Sequence, residues 1–182
     1  DLVVGGGEEL SLLAGNGKGG FARVGIPGGK GGEDQCGIVA WNGETGRSTL
    51  LVGRSNYEGV RKGAESVGRW EVFFGEIQAA GGLVGDEGSV GPLAAGDMDG
   101  DGEVEVFVGG RVRGGRYPEA GGSRLWRRKG REWVEDAEAG RALAGAGMVS
   151  GAVWSDLDGD GLPELVLACE WGPLRILRNR GG

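Results

Sequence analysis

The chain has 182 residues, a formal net charge of −7 and no histidine. The absence of histidine excludes Ser-His-Asp and Cys-His nucleophilic catalysis and histidine-based zinc sites. The acidic balance disfavours a nucleic-acid partner, which requires a basic surface, and no apolar run approaches the roughly eighteen residues of a membrane span.

Short apolar runs bounded by glycine follow one another along the chain, which is typical of strands separated by tight turns. In chain order, these runs are residues 2–4, 50–52, 104–108 and 165–168. A second pattern, an apolar pair followed by a turn rich in Gly, Asn and basic residues, occupies residues 12–17, 125–130 and 176–181. After the first two of these turns, residues 21–24 and 132–135 are predicted to be the returning strands of hairpins.

One segment of the chain is repeated. Residues 97–105, DMDGDGEVE, align with residues 156–164, DLDGDGLPE, and both lead straight into a strand. A degenerate third copy begins near Trp41, and the first residues of the chain match the end of a fourth. Each unit contains a strand, an acidic loop, two further strands, a turn and a last strand. Four strands in a period of about 60 residues are typical of β-propeller blades.

The sequence therefore predicts an all-β fold made of propeller blades, each with four antiparallel strands. The predicted units are a partial blade over residues 1–35, blades over about 36–88 and 89–146, and a partial blade over about 147–182. Closed propellers have about four to eight blades, so about three blades would form an open arc with unpaired edges. We expect the chain to be a fragment of a larger propeller, whose further blades belong to the parent protein.

The two acidic loops have the composition of calcium sites. Calcium prefers about six to eight oxygen ligands at about 2.3–2.6 Å, and the spacing D-x-D-G-D-G-x-x-E supplies carboxylates at positions one, three, five and nine. Glycines at positions four and six permit the positive φ angles that such a curled loop needs. The predicted ligands of one Ca²⁺ are Asp97, Asp99, Asp101, Glu105 and the backbone carbonyl of Glu103; those of a second Ca²⁺ are Asp156, Asp158, Asp160, Glu164 and the backbone carbonyl of Leu162.

Neither loop contains a lysine or arginine, so a divalent cation is the simplest neutraliser of carboxylates that repel each other by roughly 1 kcal/mol per pair in water. A solvated acidic turn is the alternative, since Asp and Gly are ordinary turn residues. An EF-hand is excluded because position twelve is Val108 or Leu167 within a strand. In the degenerate copy, Asn42 and Glu44 could occupy positions one and three, but position five has no counterpart, so we expect no site there.

Other conspicuous residues have ordinary structural interpretations. The six tryptophans could stack on sugars, but strand tryptophans more often pack in β-rich cores. The basic cluster of residues 124–131 is predicted to be a solvated hairpin. Cys36 and Cys169 are predicted to be buried free thiols.

The loops and their flanking strands resemble FG-GAP, or VCBS-type, repeats, the blades of the integrin α-subunit propeller, over essentially the whole chain. Within that group, GRSNYE at 53–58, GGRVRGGRYPE at 109–119 and GAVWSD at 151–156 are most similar to bacterial secreted proteins related to cartilage acidic protein. Those often carry an ASPIC/UnbV module, and none is visible here. The resemblance implies calcium ligands at positions one, three, five and nine, with Glu105 and Glu164 replacing aspartate at position nine. It also implies an extracellular, periplasmic or cell-surface setting.

The leading functional hypothesis is a calcium-stabilised scaffold without enzymatic activity that presents loops to a protein or glycan partner. The alternative is a propeller platform or accessory part of a polysaccharide-degrading enzyme such as a lyase, for which Tyr57 and Tyr117 are the candidate bases. A structural spacer without a partner is a third possibility. Fold alone does not decide among them.

Overall fold

The computed structural model describes residues 1–7, 9–30, 33–43, 46–55, 57, 65–73, 75–86 and 88–181. These residues form fourteen strands and one short helix. Within them, no helix is long and apolar enough to cross a membrane.

The strands form four separate antiparallel sheets, in each of which the strands are adjacent in chain order. Sheet I contains β1 (Leu2–Val4), β2 (Ser11–Gly15) and β3 (Phe21–Val24). Sheet II contains β4 (Gln35–Asn42), β5 (Arg47–Arg54), β6 (Glu65–Phe73) and β7 (Glu76–Val84). Sheet III contains β8 (Gly88–Gly96), β9 (Glu105–Arg113), β10 (Arg124–Lys129) and β11 (Glu132–Glu135). Sheet IV contains β12 (Met148–Ser155), β13 (Glu164–Glu170) and β14 (Arg175–Leu177). The predicted all-β fold of antiparallel sheets is confirmed.

One helix, α1 (Ala137–Leu143), connects sheet III to sheet IV, and the sequence patterns did not predict it. Asp136 begins it as the N-cap residue, because its carboxylate accepts hydrogen bonds from the backbone N–H groups of Glu138 and Ala139. Leu143 is buried in the core between the two sheets. The helix therefore contributes to the apolar core between sheets III and IV.

Three apolar clusters lie between consecutive sheets. Between sheets I and II, the buried residues are Leu10, Leu50, Val52 and Trp70. Between sheets II and III, they are Leu51, Val67, Leu83, Val90, Leu93, Val106 and Val108. Between sheets III and IV, they include Ala94, Phe107, Leu125, Val149, Leu165 and Leu167. Sheet III is covered on both faces, which explains why β9 is buried at nearly every position.

The first strands of sheets II, III and IV approach each other closely, and glycine makes this possible. A Cβ added to Gly91 in β8 would lie 2.5 Å from the carbonyl oxygen of Val149 in β12. A Cβ added to Gly37 in β4 would lie 3.0 Å from the carbonyl oxygen of Gly91. The sheets thus converge along their first strands, as blades do around the axis of a propeller-type domain.

The cysteines are free, as expected, but Cys36 is not buried. Cys36 as a whole is exposed, but its sulfur points inward and donates a hydrogen bond to the carbonyl of Val90 at 2.9 Å. Partial burial of the sulfur raises its pKa to about 11. Cys169 is half-buried and donates to the carbonyl of Ala146 at 3.2 Å.

Candidate metal centres

The two acidic loops occupy the same place in consecutive sheets: residues 97–104 connect β8 to β9, and residues 156–163 connect β12 to β13. Their internal hydrogen bonds are equivalent. Asp97 accepts from the N–H groups of Gly100 at 2.7 Å and Gly102 at 2.9 Å. Asp156 accepts from Gly159 at 2.8 Å and Gly161 at 3.0 Å. The first aspartate therefore curls each loop around its own carboxylate.

The third aspartate of each loop, at position five, continues the curl. Asp101 accepts from the N–H of Glu103 at 2.7 Å, and Asp160 accepts from that of Leu162 at 2.9 Å. The four loop glycines have φ between 76° and 90°, as the sequence predicts for a tight loop. The same backbone is thus built twice by the same spacing of Asp and Gly.

Three of the four predicted carboxylates converge in each loop. Asp97, Asp99 and Asp101 each offer an oxygen within 4.8 Å of the others in the first loop. Asp156, Asp158 and Glu164 do so in the second loop. The structure does not bring Glu105 into the first of these groups or Asp160 into the second. The carbonyls of Glu103 and Leu162 stay predicted ligands.

The glutamates at position nine are buried, with 2% of Glu105 and 3% of Glu164 exposed. In each, Oε2 accepts a hydrogen bond from the second residue of its loop: Met98 N–H at 2.8 Å and Leu157 N–H at 3.1 Å. Burial raises the pKa of Glu105; the Met98 N–H opposes this shift and the charge of Asp99 adds to it. Both glutamates therefore face into the base of their loops.

The second oxygen of Glu164 is a direct test of whether a cation fits. Oε1 is buried and has no hydrogen-bond partner among the residues that the structure describes. A buried, unpaired carboxylate oxygen is costly, and the Glu164 carboxylate offers one of the oxygens that converge with those of Asp156 and Asp158. A cation bound between these oxygens would satisfy it. The donor set consists entirely of oxygens, which suits Ca²⁺.

Arginines from outside the loops correct one step of the sequence argument, which considered only cations within them. Arg127 in β10 donates to Oδ2 of Asp99 at 2.8 Å. Arg178, just after β14, donates to Oδ2 of Asp158 at 2.7 Å. The second carboxylate of each loop, at position three, is thus partly neutralised by its own sheet. A signal was present, because each arginine directly follows the apolar pair of the second repeat pattern.

Arg127 also ties the first loop to helix α1. Its Nε donates to Oδ2 of Asp136 at 2.7 Å, and Asp136 caps the helix. Burial alone would raise the pKa of Asp136, but the Ala139 N–H and the Arg127 guanidinium hold it below its ordinary value. Burial alone would lower the pKa of Arg127, but its pairing with Asp136 outweighs burial and raises the pKa. Arg178, in contrast, makes an exposed pair with Asp158.

The predicted solvated hairpin is wrong for three members of the basic cluster. Arg124 pairs with Glu135, and Arg127 pairs as described above. Arg128 lies over the ring of Trp133, 5.6 Å from its centroid. Lys129 and Arg131 are exposed, as predicted.

The degenerate loop forms an ordinary turn where it is described. The amide oxygen of Asn42 accepts from the Ser48 hydroxyl at 2.7 Å, and the N–H of Gly43 donates to the Arg47 carbonyl at 2.7 Å. Glu44 lies outside the described residues. That no cation binds here stays a prediction.

The two tyrosines lie at the other end of the sheets. In sheet III, the pair Gly96 and Glu105 adjoins the acidic loop, whereas Gly88 and Arg113 pair at the opposite end. The nine residues of β8 span about 30 Å at the usual rise of a strand. Tyr57 and Tyr117 line a depression of about 300 Å³ at that far end. Lyase chemistry with these tyrosines would therefore not use a cation held by the acidic loops.

Five of the six tryptophans pack into the apolar clusters, as predicted. Trp70 is buried between sheets I and II. Trp41, Trp126 and Trp133 pack between sheets II and III, and Trp154 packs between sheets III and IV. Trp171 is different, since 85% of its surface is exposed.

Comparison with known families agrees with this repeat. The FG-GAP-like repeat family matches residues 97–167, which include both acidic loops and the strands between them. This match supports the resemblance to FG-GAP repeats and a propeller-type repeat domain. No curated protein matches the chain significantly.

Proposed function

We propose that this chain is a calcium-binding repeat domain that acts as a non-enzymatic scaffold outside the cell or in the periplasm. Each sheet with its connecting loops is one blade, and further blades belong to the parent protein. The observation that carries the proposal is the buried carboxylate of Glu164: its Oε1 has no partner among the described residues, and the carboxylate converges with two aspartates in a loop whose backbone is built twice.

The proposed first ion is held by Asp97, Asp99, Asp101 and Glu105, and the second by Asp156, Asp158, Asp160 and Glu164, with the position-seven carbonyls completing each set. Bound calcium supplies the divalent charge that neutralises these carboxylates. The chain's own contribution is geometric: N–H groups fix the first aspartate of each loop, and an arginine fixes the second, at position three. A loop organised in this way loses little conformational entropy on binding the ion.

As a scaffold, the chain would present the loops at the end of the sheets opposite the acidic loops to a protein or glycan. Closer kinship with the bacterial secreted proteins related to cartilage acidic protein is part of this proposal. The separation of Tyr57 and Tyr117 from the acidic loops disfavours a lyase that uses a loop-bound cation. Incubation with polyuronate should accordingly yield no unsaturated products.

Thermal unfolding followed by circular dichroism tests the calcium role. We expect millimolar Ca²⁺ to raise the Tm relative to chelator, and Mg²⁺ to raise it less, because Mg²⁺ demands near-ideal octahedral geometry and sheds its waters reluctantly. An identical Tm in calcium and in chelator would contradict the proposal.

A further inference from the structure

Trp171 is held in a backbone conformation that is unfavourable for tryptophan. Its φ is 58°, and it is the one residue other than glycine with positive φ among the residues described. This left-handed conformation costs free energy in any residue with a Cβ. Packing of the side chain offsets little of that free-energy cost, because 85% of the residue is exposed. Glycine would fit this position without strain, so the tryptophan side chain itself calls for an explanation.

The indole of Trp171 is oriented by a contact between two sheets. Its Nε1 donates to the hydroxyl of Tyr117 at 2.7 Å. Trp171 follows β13 of sheet IV, whereas Tyr117 lies between β9 and β10 of sheet III. Both rings remain exposed, with 53% of Tyr117 accessible. The two aromatic side chains therefore form a surface whose arrangement is fixed before any ligand arrives.

A depression of about 510 Å³ lies against this aromatic pair, with Met148 and Glu170 among its lining residues. The depression that contains Tyr57 shares Tyr117 and Glu170 with it, so the two depressions are adjacent, and together they are called the groove. In this groove, Arg111 donates to Glu170 at 2.6 Å across the interface between sheets III and IV. Aromatic faces thus lie next to both a charged donor and a charged acceptor.

We propose that Trp171 and Tyr117 form the binding platform for a neutral oligosaccharide. The C–H faces of a pyranose ring pack on exposed aromatic rings, and its hydroxyls can both donate to Glu170 and accept from Arg111. A neutral sugar fits best, because Arg111 and Glu170 already balance each other and Asp34 adds negative charge to the groove. The carboxylate of a uronic acid would be repelled by the negative charge of Asp34. The platform deepens the proposed scaffold function by naming the class of partner and its binding residues.

The experiment measures sugar binding by titration calorimetry with cello-, malto- and xylo-oligosaccharides, and with polygalacturonate as the acidic comparison. Three variants accompany the wild type: Trp171→Gly, Tyr117→Phe and, as the matched control, Phe21→Ala, which removes an aromatic ring from sheet I at a residue that is 60% exposed. We expect at least one neutral oligosaccharide to bind the wild type. Trp171→Gly should weaken binding at least about tenfold, Tyr117→Phe should weaken it less, and Phe21→Ala should leave it unchanged.

Melting curves of the same variants separate a lost ligand from a lost fold. Trp171→Gly should melt at the same temperature as the wild type or higher, because glycine adopts this φ without strain. Binding of none of the neutral sugars, binding of polygalacturonate alone, or undiminished binding by Trp171→Gly would overturn the platform. If the calcium-dependent rise in Tm persists in that case, the platform fails while the calcium scaffold stands. If that rise is absent, the scaffold proposal fails separately.

Discussion

The replacement Asp158→Ala should change stability in a manner that depends on calcium. An ion bound with its concentration a hundredfold above Kd stabilises the fold by about 2.7 kcal/mol. If loss of the carboxylate weakens binding about a hundredfold, about 0.4 kcal/mol of that stabilisation remains, so the loss in calcium is about 2.3 kcal/mol. For a domain of this size, that corresponds to a fall in Tm of about 5–9 °C.

In chelator, the same substitution should have little effect or should stabilise the fold slightly. The ion pair that it removes is exposed, with 41% of the Asp158 side chain and 66% of the Arg178 side chain accessible. Such a pair contributes about 0–1 kcal/mol. The loss is offset because repulsion from Asp156 and Glu164, roughly 1 kcal/mol per pair in water, is relieved.

The assay is a set of melting curves in calcium and in chelator, with Arg178→Ala as the control that removes the ion pair but keeps the ligand. Arg178→Ala should lower Tm only slightly in either condition. Equal losses for Asp158→Ala in calcium and in chelator would refute calcium binding at this loop.

Asp99 occupies the same position in the first loop, but the structure predicts that its replacement affects stability in chelator differently from the replacement of Asp158. Only 25% of the Arg127 side chain and 26% of the Asp99 side chain are exposed in their ion pair. Asp99→Ala should therefore destabilise the fold by about 1 kcal/mol even in chelator, since hydrogen bonds to charged groups contribute more when sheltered from water. The sequence alone predicts the same calcium-dependent sign for both.

Two further predictions concern packing and pH. Gly91→Ala should cost at least about 2 kcal/mol in chemical denaturation, because the added methyl would meet the Val149 carbonyl at 2.5 Å; Gly151→Ala, whose nearest contact would be 3.4 Å, should change stability by less than about 0.5 kcal/mol. The pKa of Asp136 is lower in the folded state than its ordinary value of 3.8. Its pairing with Arg127 therefore stabilises the fold at pH values above 3.8, and this stabilisation is lost as the pH falls through the lowered pKa. Asp136→Asn in chelator should therefore be less stable than the wild type by about 1 kcal/mol at neutral pH and should lose less stability on acidification; parallel pH profiles would contradict this.

The strand pattern was predictable because it rests on local information. Residues 21–24 and 132–135 were identified as returning strands, and the structure has strands with the same bounds. The acidic loops were predictable for the same reason, since the Asp and Gly spacing determines the loop's own hydrogen bonds.

The helix and the arginine contacts depend on tertiary structure. Helix α1 has only seven residues, too few to form without the cap from Asp136 and the burial of Leu143. The pairing of Arg127 with Asp99 joins a residue of strand β10 to a residue of the loop between β8 and β9. Neither the helix nor the arginine partner of Asp99 could be identified from the composition of the loop alone.

Calorimetric titration of the purified chain with Ca²⁺ tests the central claim most directly, with Glu164→Gln as the comparison. This substitution keeps the shape of the side chain but removes the negative charge of the carboxylate. In the wild type, Oε1 of that carboxylate is buried without a partner among the described residues. We predict two bound ions in the wild type, with the ion at the second loop lost or greatly weakened in Glu164→Gln. A wild type that binds no calcium, or a variant that binds two ions with unchanged affinity, would contradict the account.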